Sequence, residues 1–139
     1  MQSLRVKDYM EMDSHSIPAT LNVAEAVDVL INDHLSGAPV VDSNHKLVGF
    51  LSEKDCIRHL INSSYYRDGS PSVQEIMVHD IISVSPDTSI LEIAEVMLEH
   101  APKIYPVCDN GKLVGIIQRH HVLKALRKDE NGLSLDAQN

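Results

Sequence analysis

An α/β fold built from one unit used twice is the architecture that this 139-residue sequence predicts, and three observations carry it. The first is an internal repeat. Val6-Lys7-Asp8-Tyr9-Met10 returns 67 residues later as Val73-Gln74-Glu75-Ile76-Met77, and along that offset Glu25 matches Glu92, Leu30 matches Met97 and Pro39-Val40 matches Pro106-Val107. One residue is then lost in a turn, and Leu47-Val48-Gly49-Phe50-Leu51 answers Leu113-Val114-Gly115-Ile116-Ile117 at an offset of 66. Self-similarity whose only gap falls in a turn marks a duplicated supersecondary unit. The second observation is a stretch of helical apolar spacing inside each repeat, and the third is a pair of short apolar runs around a polar turn. At this length two repeats of about sixty residues share a core more readily than they fold apart.

Each repeat opens with a short helical turn ending at Met10 or Met77, followed by a brief β stretch at Ser16-Ile17 or Ile82-Ser83-Val84. Asn22-Val23-Ala24-Glu25 and Ser89-Ile90-Leu91-Glu92 then have the form of a capping box, a polar residue able to cap N3 and a Glu able to reach back, and each starts a helix. Val23, Ala26, Val27, Leu30 and Ile31 form one face of the first helix, and Ile90, Ile93, Ala94, Met97 and Leu98 the matching face of the second. Gly37, after a helix expected to end at Leu35 or Ser36, is the expected C′ residue. Ala38–Val41 with Lys46–Leu51, and Ile104–Cys108 with Lys112–Ile117, predict two hairpins. Their turns are Asp42-Ser43-Asn44-His45 and Asp109-Asn110-Gly111, and Asn-Gly is a strong hairpin signal. Closing helices near Glu53–Ile61 and Arg119–Lys128 are expected to bury Ile57, Leu60 and Ile61, and Val122, Leu123 and Leu126. The resulting boundaries are 1–63 for the first motif, 64–72 for a Ser/Gly/Pro-containing linker, 73–128 for the second motif and 129–139 for a flexible tail.

Apolar content of 43% against 23% charge is ordinary for a globular protein, and no stretch approaches the roughly 18 apolar residues of a spanning helix. The first residues lack an apolar signal core. A net charge of −8 without basic clusters argues against nucleic acid and membrane surfaces as partners, and 4% aromatics argues against a stacking platform for single strands. A small anionic ligand remains open to it, since a few N–H groups and one or two cations suffice. Cys56 and Cys108 fall in different repeats and element types, which suits reduced thiols and a cytoplasmic setting. There is no glycine-rich phosphate loop, HExxH, paired CxxC or GxSxG, so an enzyme is not expected. Neighbouring His120 and His121 point about 100° apart on a helix, and none of the eight histidines has zinc spacing, so no metal is expected.

The ordered set of a turn ending in Met, a β stretch, a capped helix, Gly37-Ala38-Pro39-Val40-Val41-Asp42 and Leu47-Val48-Gly49-Phe50-Leu51-Ser52 followed by Asp55, answered by the corresponding order of elements in the second repeat, resembles the CBS domain family. The likeness covers about Val6 to Leu126. It implies two β-α-β-β-α motifs about a pseudo-twofold axis, each with a short sheet packed on helices. It further implies a regulatory module that senses an adenosyl ligand such as AMP, ADP, ATP or S-adenosylmethionine, requires no cofactor, regulates an unidentified protein and pairs as a homodimer of four motifs. A ligand-free dimerisation or scaffolding module is the alternative.

Ser52-Glu53-Lys54-Asp55 follows a strand and starts a helix, where a hydroxyl, a carboxylate and free N–H groups converge. The same Ser-x-x-Asp is also a capping box that stabilises by about 0.5–2 kcal/mol with no ligand present. The resemblance implies that Asp55 accepts from the ribose hydroxyls, that Ser52 supports ribose or phosphate, and that adenine rests near Met77, Val78 and Ile82 and on Ser36, Gly37, Ala38 and Pro39. In the second repeat Gln118-Arg119-His120-His121 replaces Ser-x-x-Asp, so His121 stands where the ribose carboxylate belongs. Lys103, Arg119, His120 and His121 are candidate phosphate contacts there, or a solvated helix start.

Overall fold

In the computed structural model, residues 4–12, 15–63 and 71–137 are described, with Ser63 and residues 129–137 as backbone. The expected linker at 64–72 falls mostly outside them. In chain order the elements are β1 (Glu11–Met12), β2 (Ile17–Pro18), α1 (Val23–Asn32), β3 (Gly37–Val41), β4 (Leu47–Ser52), α2 (Glu53–Ser63), α3 (Ile90–Glu99), β5 (Ile104–Asp109), β6 (Lys112–Gln118) and α4 (Arg119–Ala137). Short 3₁₀ turns at Val6–Asp8 and Val73–Glu75 are the two opening turns.

The chain divides into two compact units that cross the sequence repeats. The first unit comprises Ser14–Ile81 with Gly111–Leu113, and the second comprises Met1–Asp13, Ile82–Asn110 and Val114–Asn139. Each therefore takes its opening turn from the other repeat. In the first unit, Val73 N–H donates to Leu21 O at 2.8 Å and Gln74 N–H to Ala19 O at 3.0 Å, and Val73 and Met77 join the core of Ile17, Ala26, Leu30, Ala38, Val40, Leu51 and Cys56. In the second, Val6 N–H donates to Thr88 O and Ile90 N–H to Leu4 O, both at 2.9 Å, and Val6 joins Ile90, Ile93, Met97, Tyr105, Val107, Ile117, Val122 and Ala125. Each buried aliphatic residue contributes about 1.5–3 kcal/mol, which is what holds these short turns in place.

The first unit's sheet has the order β2-β3-β4, with β2 parallel to β3 and β3 antiparallel to β4. The second unit's sheet has the order β1-β6-β5, and Val84 makes an isolated parallel bridge to Val107, the counterpart of Ile17 beside Val40. Both expected hairpins are present. Asn110 and Gly111 have φ of 53° and 82°, the left-handed pair that a tight two-residue turn needs. Asp42 Oδ1 accepts from Asn44 and Lys46 N–H at 2.8 and 3.0 Å, and this turn holds its carboxyl below the usual value.

The two expected helix caps form, and several other local expectations are corrected. Asn22 Oδ1 caps α1 by accepting from Ala24 N–H at 2.8 Å, and Ser89 Oγ caps α3 by accepting from Glu92 N–H at 3.1 Å. The C′ residue of α1 is His34 rather than Gly37. His34 has φ 55°, its N–H donates to Ile31 O at 3.3 Å, and Leu35 N–H donates to Leu30 O at 2.9 Å, a Schellman closure. The helix ends at Asn32, earlier than expected, because this closure turns the chain toward β3. Gly37 instead opens β3, where a Cβ would lie 2.5 Å from Phe50 Cε1 and 3.0 Å from Leu51 O.

The closing helices are also rotated from the expected phase. Ile57, Leu60 and Ile61 are exposed, while Asp55 and Cys56 are buried. In α4, Val122 and Ala125 are buried and Leu123 and Leu126 are exposed. The strand-to-helix junction sets the phase: the residue three after the strand end turns inward to cap the helix, and those two positions further on point about 200° away. Ile31 and Leu98, at the margins of α1 and α3, are exposed as well. α4 continues to Ala137 rather than ending at Lys128. No proline intervenes, and Gly132 costs a helix only about 1 kcal/mol.

Candidate functional site at the β4–α2 corner

The first unit brings together eight of the sequence-derived site residues. Gly37 pairs with Ser52 across the β3–β4 ladder, and Glu53 N–H at the start of α2 donates to Ser36 O at 2.9 Å. On the other side of β4, Phe50 and Val78 exchange both backbone hydrogen bonds at 2.9 Å. Phe50 thus spends its N–H and C=O on Val78, so Pro39, opposite it on β3, deprives β4 of no ladder bond. Met77 lies over Gly49, where its thioether fills the space a Cβ would need. Ser36 and Val78 are exposed and Ser52 is half-buried, whereas the side chains of Ala38, Pro39 and Met77 are buried in packing.

Asp55 organises the corner. It is the buried charged residue of the described chain, at 8% exposure. Its Oδ2 accepts from Ser52 N–H at 3.0 Å and from Ser52 Oγ at 2.8 Å, while Ser52 Oγ accepts in turn from Asp55 N–H at 3.1 Å. The capping box is therefore real. It also divides the carboxylate, because one oxygen closes the helix and the other, Oδ1, is approached at 3.4 Å by Nη1 of the mostly exposed Arg58. An ion pair with one partner so exposed is worth little and is readily exchanged. Next to it, burial and the Asp55 and Glu53 charges push the Cys56 thiol above its usual value, which keeps it protonated and inert.

Arg58 was not singled out from the sequence, although a cation three residues after a helix-start carboxylate is a readable i,i+3 pair. Phe50 was missed for a different reason. Its role comes from strand register, bridging to Val78 on one side and walling Gly37 on the other.

Ile82, Lys103, Arg119, His120 and His121 belong to the second unit. Here His121 does what Asp55 does in the first: its Nδ1 accepts from Gln118 N–H at 2.9 Å. Burial first, then the His120 and Lys124 charges, lower its pKa from 6.5, against the attraction of Glu11. A histidine accepting at Nδ1 is neutral, so it offers no cation to a phosphate. Arg119 Nη2 lies 3.4 Å from Ala101 O, and its charge opposes the burial that raises the pKa of the fully buried Tyr105. The Tyr105 hydroxyl has no hydrogen-bond partner among the described residues. Lys103 and His120 are exposed, Ile82 is half-buried, and the His120 and His121 rings lie 4.0 Å apart. Among the described residues no group of three or more His, Cys, Asp or Glu is placed to hold a metal ion. Both cysteines are free, and no described helix is long and apolar enough to cross a membrane.

The family model of the CBS domain matches the chain twice, at residues 6–62 and 73–128. Among solved structures, CBSX2 of Arabidopsis thaliana in complex with AMP is similar, with 28% identity, a TM-score of 0.80 and coverage of 91% of this chain and 98% of that one. A protein described as a putative acetoin utilization protein of Vibrio cholerae has 27% identity and a TM-score of 0.79, over 98% of this chain and 97% of its own. An uncharacterized protein of Methanocaldococcus jannaschii is 26% identical over 89% of this chain, and the A-adding tRNA nucleotidyltransferase of Aquifex aeolicus 27% over 91%. This chain spans 43% and 15% of the length of those last two.

Proposed function

Because the chain belongs to the CBS domain family, we propose that it is a non-catalytic regulatory module that binds an adenine nucleotide at the β4–α2 corner, with Asp55 as the ribose acceptor. The observation that carries this reading is the division of labour on Asp55: Oδ2 is committed to Ser52, and Oδ1 faces an exchangeable, exposed Arg58. A ribose diol needs acceptors, and a buried carboxylate oxygen is a strong one. Ser36 and Val78 offer exposed surface on either side of β4 for the rest of the ligand, and the N–H groups opening α2 favour negative charge. CBSX2, similar over nearly its whole length, was solved with AMP, which makes AMP the first ligand to test.

The test is calorimetric titration of the protein with AMP, ADP, ATP and S-adenosylmethionine, with Asp55→Asn alongside. Asparagine keeps a carbonyl oxygen for Ser52 but replaces Oδ1 with a donor NH₂, so the cap survives and the ribose acceptor is lost. Affinity is expected to fall tenfold or more, since hydrogen bonds to charged groups contribute about 1.5–3 kcal/mol. Undiminished affinity would remove Asp55 from the site.

A second reading, a ligand-free dimerisation module, is favoured by His121 in place of the second carboxylate and by the exposed Ile57, Leu60 and Leu123. Absence of binding by all four ligands would select it. Under both readings the chain is a homodimer, under the first it acts on a separate regulated protein, and its free thiols suit the cytoplasm.

A further inference from the structure

We propose that His121 is a proton-controlled cap: neutral, it ties the start of α4 to the end of β6; protonated, it releases that turn. The Gln118 N–H donates to Nδ1 at 2.9 Å, so Nδ1 must carry a lone pair and the ring's proton sits on Nε2. A second proton at Nδ1 would set two donors against each other. It would also place a positive charge at the N-terminal end of α4, where the helix dipole opposes it. At the equivalent corner of the first unit the acceptor is the Asp55 carboxylate rather than an imidazole.

The surroundings reinforce the asymmetry. On α4, the His120 ring stands 4.0 Å away and Lys124 follows one turn later, and both disfavour a cation at His121. Glu11 on β1, paired with Ile116 of β6, favours one but is outweighed by burial and those neighbours. The folded state therefore holds fewer protons than the unfolded chain just below pH 6.5. The cap's stabilisation is full above that value and is lost as pH falls through the lower folded-state pKa.

The experiment is a set of thermal melts from pH 7.5 to 5.0 on the protein, on His121→Asp, which keeps an acceptor that does not titrate in this range, and on His120→Gln. The protein should lose about 3 °C more than His121→Asp over that span, the size expected for one helix cap in a chain of this length, and His120→Gln, which removes one of the charges opposing protonation, should fall between the two. Parallel losses in all three would overturn the proposal. Nitrogen-15 NMR of the imidazoles gives an independent reading that needs no variant to fold. An Nε2–H tautomer for His121 at pH 7.5 is expected, and an Nδ1–H tautomer, or protonation above pH 6.5, would also overturn it.

Discussion

Asp55 and His121 stand at equivalent places in the two repeats and both cap the following helix, one with a carboxylate and one with an imidazole. Capping alone thus explains why a side-chain acceptor is needed there, and the chemistry left over distinguishes the two corners: an anionic acceptor in one, a neutral ring in the other. His34 shows the same competition between local and wider demands. It holds φ 55°, a conformation that costs a non-glycine L-residue about 1–2 kcal/mol, to close α1. His34→Gly is expected to raise stability by about 0.5–1 kcal/mol, the relief being partly offset by a freer unfolded chain. Urea denaturation checks this; a lowered midpoint would show that the His34 side chain contributes more than its backbone strain removes.

At the scale of elements, β3 and β4 carry the corner, and their separation depends on Gly37. A Cβ there would meet the Phe50 ring and the Leu51 carbonyl, and the carbonyl is fixed in the ladder. Gly37→Ala is expected to destabilise by about 1–3 kcal/mol and to weaken nucleotide binding beyond what that loss explains, because Ser36 and Ser52 are tied to the same strand ends. Measuring affinity well below the variant's melting temperature separates the two effects. Wild-type affinity in a destabilised variant would detach the strand end from the site. Capped helix starts, the Asn110-Gly111 turn and both hairpins were legible because each depends on residues a few positions apart. The phase of α2 and α4 was not, since Ile57, Leu60 and Ile61 satisfy helical periodicity as well as the face that is buried.

For the whole molecule, the exposed apolar residues of the closing helices are the main departure from a self-sufficient surface. Ile57 at 56% and Leu123 at 68% exposure occupy equivalent positions on α2 and α4. Covering such a side chain contributes about 1.5–3 kcal/mol, enough to shift a micromolar association tenfold or more. Sedimentation at tens of micromolar is expected to show a dimer, and Ile57→Glu a shift toward monomer. A wild-type monomer at that concentration would refute the pairing.

The repeat, its helices and hairpins, and the Ser52–Asp55 corner were determined by the sequence by itself, because capping, turn formation and apolar periodicity act over a few residues. Only the tertiary structure decided that each opening turn packs into the other repeat's unit and that Phe50 joins Val78. Val6 and Val73 are identical residues in near-identical turns, and nothing local tells either one which core to enter. That choice rests on hydrogen bonds to Thr88 and Leu21 and on apolar burial, which exist only once segments far apart in the chain have met.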